Sequence, residues 1–346
     1  MEAIKIVEPG EKIRVIVLGS SAAGIQLTNG LLGCPDVATI VGMMPVSNIP
    51  RYRKLYDHPD EKELRQIAST NSINVLDTTG VNTAGFLDSL KTLRPHVVLL
   101  GGWPEILKAP IVGLENVGFE NVCFINCHAS LLPQYRGACP GLAAVFRGDR
   151  QTGFTFHLID EGIDTGDILF QECLDIEQKE TALALTERIA KRSGLAIRPF
   201  FEKLAAGSVV PRKQEGPGSC ISKRNLEWGW IPWSMDPETI DQRIRALRGY
   251  LPLVTSWNGV VIGFESGKLV TGSDQESAPT QANNRHVQNP GVVIANNSDK
   301  VVVSTIDPDY QLELDKPLIL PPGQSVSINP GDQFVSQPCA GILESS

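Results

Sequence analysis

A chain of 346 residues, 42% hydrophobic and 20% charged, suits two hydrophobic cores and excludes the disordered and collagen-like classes. Its formal net charge of −8 argues against a general nucleic-acid binder, because phosphate contacts need clustered Lys and Arg. No apolar run approaches the ~20 residues of a membrane span. The first residues carry no secretory pattern, and seven scattered cysteines without a C-x-x-C pair indicate reduced thiols in a cytoplasmic protein rather than a disulfide framework or a zinc site.

Residues 13–18, IRVIVL, read as a β-branched strand that ends in the turn GSSAAG and leads into a helix, IQLTNGLL (25–32). A second strand is expected at 37–44, a helix at 60–71, a strand at 73–78, a helix at 83–93 and a buried strand at 95–103. Such alternation predicts an α/β fold with a parallel sheet and right-handed crossovers. Ligands of such sheets gather at the carboxyl ends of the strands. GSSAAG, GGWPEIL and NCHAS should therefore converge on one crevice. GSSAAG itself does not match G-x-G-x-x-G, and GMMPVS after the second strand offers no acidic residue, so the turn reads as structural rather than as a nicotinamide site. The short basic runs RYRKL (51–55) and PRKQ (211–214) read as solvated surface.

Further along, GFTFHLI and DILFQECLDI read as two strands joined by the acidic loop DEGIDTG. Residues 179–207 form a long amphipathic helix stopped by Gly207, and the Pro- and Gly-rich stretch after it reads as a linker. A helix is expected over 236–250, followed by short strands broken by Asn, Gly, Asp and Pro, the rhythm of a small β domain. The domain plan is 1–207, a linker at 208–224, a second domain at 225–335 and a tail at 336–346.

One stretch stands out chemically: FINCHASLLPQYRGACPG, residues 124–141. In an extended strand alternate side chains point the same way, so Asn126, His128 and Ser130 share a face. An imidazole exchanges a proton near neutral pH, and an amide can stabilise an oxyanion without titrating. A carboxylate that orients the imidazole could come from Asp160, Asp164 or Asp167, all in one loop. There is no G-x-S-x-G elbow to make Ser130 a nucleophile. The set suits a reaction in which the substrate's own amine attacks an acyl carbon.

The run INCHASLLPQYRGACPGLAAVFRGDRQTGFTFHLIDEGIDTGDIL (125–169) resembles the signature of the 10-formyltetrahydrofolate-dependent formyltransferases: Asn-x-His-x-Ser-Leu-Leu-Pro, then Tyr-Arg-Gly, Thr-Gly and Asp-Thr-Gly-Asp. The resemblance covers most of the chain. It implies a Rossmann-like catalytic domain followed by a small carboxyl-terminal OB-like β-barrel, the latter resembled by IPWSMDPETIDQRIRAL and NPGVVIANNSDKVVVST. It places the catalytic roles on Asn126, His128 and Asp164. It also places folate contacts along GGWPEIL and IDEGIDTG, at Gly102, Trp103, Ile106, Leu107, Asp160 and Gly162, with Ser130 at the family's spacing after the histidine. The implied cosubstrate is 10-formyltetrahydrofolate, with no metal. Hydrolase relatives carry a tyrosine where Asn126 stands, so the asparagine favours transfer. Trp103 is open between folate contact and core packing, and Arg136 between acceptor binding and loop support.

The resemblance leaves three acceptors: methionyl-tRNA, a nucleotide-linked aminosugar, or a small amine such as an ornithine derivative. From 251 to 346 the chain has 10 acidic and 4 basic residues, a poor surface for tRNA. The stretch after the second strand is basic for only five residues before turning acidic. A small-molecule amine is therefore the expected acceptor. The segment GACPGLAAVF, where relatives often carry a tryptophan, leaves the acceptor pocket unassigned.

Overall fold

The first strand is buried along nearly its whole length, as a strand covered on both faces requires. The structure of the protein, a computed structural model, describes residues 2–108, 111, 122–221, 229–271, 289–297, 299–315, 317–319 and 327–336. Elements follow in chain order: β1 (Ile13–Gly19), α1 (Ser21–Leu32), β2 (Ala38–Pro45), two 3-10 turns (Val46–Asn48, Pro50–Asp57), α2 (Pro59–Thr70), α3 (Ala84–Leu93), β3 (Val97–Gly101) and β4 (Cys123–His128). Then come β5 (Arg136–Gly137), α4 (Pro140–Arg147), β6 (Gln151–Leu158), β7 (Ile168–Asp175), α5 (Ala182–Ala205) and β8 (Cys220–Ile221). The remainder is α6 (Pro237–Leu247) and β9 (Leu253–Trp257) through β15 (Pro317–Ile319), with β10 at Val260–Phe264, β11 at Gly267–Thr271, β12 at Val293–Asn296, β13 at Val301–Ser304 and β14 at Tyr310–Leu314.

The chain divides into two compact units. The first comprises residues 1–141, 151–175 and 185–221; the second comprises 142–150, 176–184 and 222–346. Residues 222–224 of the expected linker, the first residues of the expected second domain (225–228) and positions 337–346 of the expected tail lie outside the described residues.

The first unit is built on a six-stranded sheet of order β2-β1-β3-β4-β6-β7. β2, β1, β3 and β4 run parallel; β6 is antiparallel to β4, and β7 antiparallel to β6. The sheet is thus mixed rather than parallel throughout, because β6 and β7 are joined as a hairpin instead of by a helical crossover. GSSAAG is a packing device. A Cβ on Gly24 would stand 2.7 Å from the Gly19 Cα, and one on Gly101 would stand 2.6 Å from Leu27 Cδ1. Small residues here let α1 lie directly on β1 and β3.

The strand expected at 73–78 does not form. Only Val75 bridges Met43 on β2, with Leu76 N donating to the Met43 carbonyl at 2.8 Å. The Thr78 hydroxyl, donating to the Gly80 carbonyl at 3.2 Å, turns the chain toward α3 before more of a ladder can pair.

In the second unit, α6 lies with two antiparallel sheets of order β15-β10-β9 and β11-β14-β13-β12. Its core gathers Ile231, Trp233, Ile240, Ile244, Phe264 and Phe334, with Trp233 Nε1 donating to Thr255 Oγ1 at 3.0 Å. Residues from the two shorter segments join α6: Gln242 Nε2 donates to the Phe146 carbonyl and Arg245 to the Glu180 carbonyl. Among the described residues no helix is long and apolar enough to cross a membrane.

Candidate active site

Strand pairing explains why the polar side chains meet. β4 runs beside β3 with Asn126 opposite Leu100, and antiparallel to β6 with Asn126 opposite His157 and His128 opposite Thr155. Residues directly opposite in an antiparallel pair share a face. Asn126 Nδ2 accordingly lies 3.1 Å from His157 Nε2, and the His128 and His157 rings sit edge to face at 6.3 Å.

The carboxylate comes from the β6–β7 loop. Asp164 adopts φ 53, the left-handed region that Asp tolerates better than most residues. The loop is closed by Asp160, whose Oδ1 accepts from Gly162 N at 3.1 Å and Thr165 Oγ1 at 2.6 Å. Gly166 is required there, since a Cβ would lie 1.8 Å from the Leu158 carbonyl oxygen. Asp164 Oδ2 accepts from Gly137 N at 2.8 Å and Oδ1 from Asn126 Nδ2 at 3.1 Å. His128 Nδ1 and His157 Nε2 each stand 3.4 Å from one of its oxygens. Burial alone would raise this carboxyl; His157, the His128 charge and the Gly137 N–H outweigh it and bring it down to about 2.

The imidazole protons follow from the partners. His128 Nε2 lies 2.8 Å from the Tyr135 carbonyl, which only accepts, so Nε2 carries a hydrogen and Nδ1 turns its lone pair to Asp164 in the neutral ring. Burial holds His128 below the ordinary imidazole value, although Asp164 and the Tyr135 carbonyl pull it upward. His157 Nδ1 faces its neighbour's carbonyl, on Leu158, at 2.7 Å, so in the neutral ring Nε2 accepts from Asn126, and in the protonated ring it turns a hydrogen to Asp164 Oδ1. His128 is 6% and His157 2% exposed, whereas Asn126 and Asp164 are only partly buried. An amide and a carboxylate therefore form the accessible face, and two imidazoles stand behind it. His157 was not among the residues singled out from the sequence.

Of the expected folate contacts, Gly102 has φ 66 and a Cβ there would lie 2.7 Å from the Ser20 carbonyl. Trp103 packs, half-buried, on the cluster of Phe86, Val98 and Leu100, yet its buried Nε1–H has no partner among the described residues. Ile106 is 57% exposed, and its carbonyl accepts from Asn82 Nδ2, while Leu107 is buried in that same cluster. Ser130 is fully buried, and its hydroxyl donates to the Gln134 carbonyl at 2.5 Å, so it braces the loop after β4. Asp160 and Gly162 lie in the exposed acidic loop. Arg136 donates to Gln214, which supports the loop reading of that side chain. Among the described residues no group of three or more His, Cys, Asp and Glu is placed to hold a metal ion.

A parallel-dominated sheet with an amide, a carboxylate and two imidazoles at the carboxyl end of β4 defines a Rossmann-like α/β enzyme. Residues 13–197 match the family described as formyl transferase, more than half of the chain, and the chain belongs to that family. A methionyl-tRNA formyltransferase from Caldanaerobacter subterraneus is 32% identical over 209 residues, covering 60% of this chain and 66% of that protein. One from Halothermothrix orenii is 28% identical over 293 residues, covering 80% and 88%. In fold, the chain is similar to an N-formyltransferase from Helicobacter canadensis solved with folinic acid and dTDP-3-aminofucose, with TM-score 0.59, 19% identity, and coverage of 88% of this chain and 99% of that one.

Proposed function

We propose that the chain moves a formyl group from 10-formyltetrahydrofolate to the primary amine of a small-molecule acceptor, an aminosugar nucleotide or an amino-acid-derived amine such as an ornithine derivative. The observation that carries this reading is the cluster of Asn126, His128 and Asp164 joined by hydrogen bonds and close contacts of 3.1–3.4 Å. The Trp103 Nε1–H, buried and without a partner among the described residues, supports a folate at this edge, because such a donor costs about 1–3 kcal/mol unless something accepts from it.

In this reading the acceptor's nitrogen attacks the formyl carbon, the new C–N bond forms, and negative charge develops on the formyl oxygen. Asn126 donates to that oxygen by releasing one of its two N–H partners. The amine proton passes to Asp164 and rests on His128 Nδ1, whose lone pair faces the carboxylate at 3.4 Å. Cleavage of the bond to N10 returns a proton to that nitrogen and leaves tetrahydrofolate and the N-formyl product. The carboxyl-terminal β strands, on this reading, form an OB-like barrel, and the protein works in the cytoplasm.

A second acceptor, methionyl-tRNA, is favoured by the names of the sequence relatives. Against it stand the 10 acidic and 4 basic residues from 251 to 346. The test offers 10-formyltetrahydrofolate with a panel of amines and with methionyl-tRNA, and reads products by mass spectrometry for one added formyl group. Formylation of a small amine, indifferent to salt, is expected. Transfer to tRNA alone, falling steeply with salt, overturns the acceptor, and donor binding without any product points to a folate-binding protein that has lost catalysis.

A further inference from the structure

We infer that Gln214, in the segment read from sequence as a linker, is a positioning residue that holds Asp164 at its working distance from His128; the inference rests on the proposed formyl transfer. Backbone bonds between Arg212 and Ile168, at 2.8 and 2.9 Å in the two directions, lay this segment along the start of β7. Two residues on, the Gln214 amide reaches back across the acidic loop. Its Nε2 donates to the Asp164 carbonyl and to the Gly166 carbonyl, both at 2.8 Å. Its Oε1 accepts from Arg136 Nε at 3.0 Å and Arg136 Nη2 at 2.7 Å.

The amide's orientation is fixed by chemistry alone, since guanidinium nitrogens only donate and carbonyls only accept. All four of its hydrogen-bonding positions are filled. The two loops it ties are the ones that build the site. The Arg136 loop supplies the Tyr135 carbonyl to His128 Nε2 and the Gly137 N–H to Asp164 Oδ2. The other loop carries Asp164 in a left-handed conformation at φ 53, which must be held by its surroundings. β5 pairing with β8, Arg136 against Cys220, independently holds the Arg136 loop to the segment that carries Gln214, a few residues further on. That pairing keeps the fold in place when the amide is removed.

Two variants separate the donor from the acceptor half of the amide. Gln214→Ala removes both. Gln214→Glu keeps the Arg136 partner and makes it charged, but presents a carboxylate with no hydrogen to two carbonyl oxygens. Both should keep the wild-type fold and a donor KM within about twofold, with kcat reduced about 10- to 100-fold, the scale of an ångström-sized misplacement. An independent readout is the NMR titration of the His128 ring, which faces Asp164, His157 and the Tyr135 carbonyl. In Gln214→Ala its midpoint should fall, because the carboxylate that favours the imidazolium has moved away. A wild-type kcat in Gln214→Glu, or a His128 midpoint that stays or rises in folded Gln214→Ala, overturns the inference. If the wild-type protein formylates no amine, the reading of the function fails, while the His128 titration still decides the role of Gln214.

Discussion

Asp164→Asn is the most informative single substitution. The carboxylate accepts from Gly137 N on one oxygen and Asn126 Nδ2 on the other, and faces both imidazoles at 3.4 Å. An amide cannot reproduce this. With its nitrogen in the place of Oδ1 it meets Asn126 Nδ2, and in the place of Oδ2 it meets the Gly137 N–H; either way two donors oppose each other. The lost hydrogen bond and the lost charge together cost about 2–3 kcal/mol of stability, too little to unfold a domain with a normal margin of about 5–15 kcal/mol. The catalytic loss is larger, because an amide takes no proton from the attacking amine and no longer stabilises an imidazolium at His128. Loss of a general base is worth about 10²- to 10⁴-fold, or roughly 3–5 kcal/mol of barrier. The assay is kcat at saturating donor with the best acceptor, beside calorimetric titration of the donor and a thermal melt. The prediction is a kcat about a thousandfold down, with donor affinity changed by less than about threefold. A kcat within about threefold of wild type would refute the proton path. So would a loss explained wholly by donor binding.

Three other outcomes are expected. His157→Phe, which removes the acceptor for Asn126 Nδ2, should lower kcat about tenfold, and His157→Gln should recover part of that loss through its carbonyl oxygen; equal activity of the two in steady-state assays would argue against the role. Gly166→Ala should destabilise the chain by about 1–3 kcal/mol in denaturant titration, because the Leu158 carbonyl 1.8 Å from the new Cβ is backbone and must move with its strand. Lastly, the Asp164 carboxyl sits at about 2 in the folded chain against an ordinary 3.8. Its contribution, about 2 kcal/mol, is therefore fully present above about pH 4 and is lost as pH falls toward 2. Urea unfolding across that window should show the loss in wild type and a shallower one in Asp164→Asn.

The shared polar face of β4 was legible because alternation in a strand needs no partner: Asn126 and His128 share a face whatever lies beside them. His157 was hidden for the opposite reason. It has the same alternating relation to Thr155, but its place at the site follows from the antiparallel register that sets it opposite Asn126, and pairing is not written in either strand alone. The mixed sheet was missed in the same way, since an apolar strand reads alike in parallel and antiparallel company. Gln214 was read past because a Pro- and Gly-rich stretch without periodicity looks like a tether. Its role comes from one backbone bridge to β7 and one amide. Ser130 shares the periodicity of Asn126 and His128, but the chain has left β4 by then, and its hydroxyl turns to Gln134. Residues 73–78 have strand composition yet pair only once, because the turn at Thr78 removes them from the edge of β2.

The most direct measurement is a crystal structure of the protein with 5-formyltetrahydrofolate, a donor analogue that is not turned over, and an amine found active in the panel. The pterin should lie along residues 102–107 with Trp103 Nε1 donating to it, and the acceptor nitrogen should stand about 3–3.5 Å from the position of the transferable carbon, within reach of Asn126 and Asp164. A folate bound elsewhere, or an acceptor nitrogen held away from both side chains, would contradict the proposed reaction at this site.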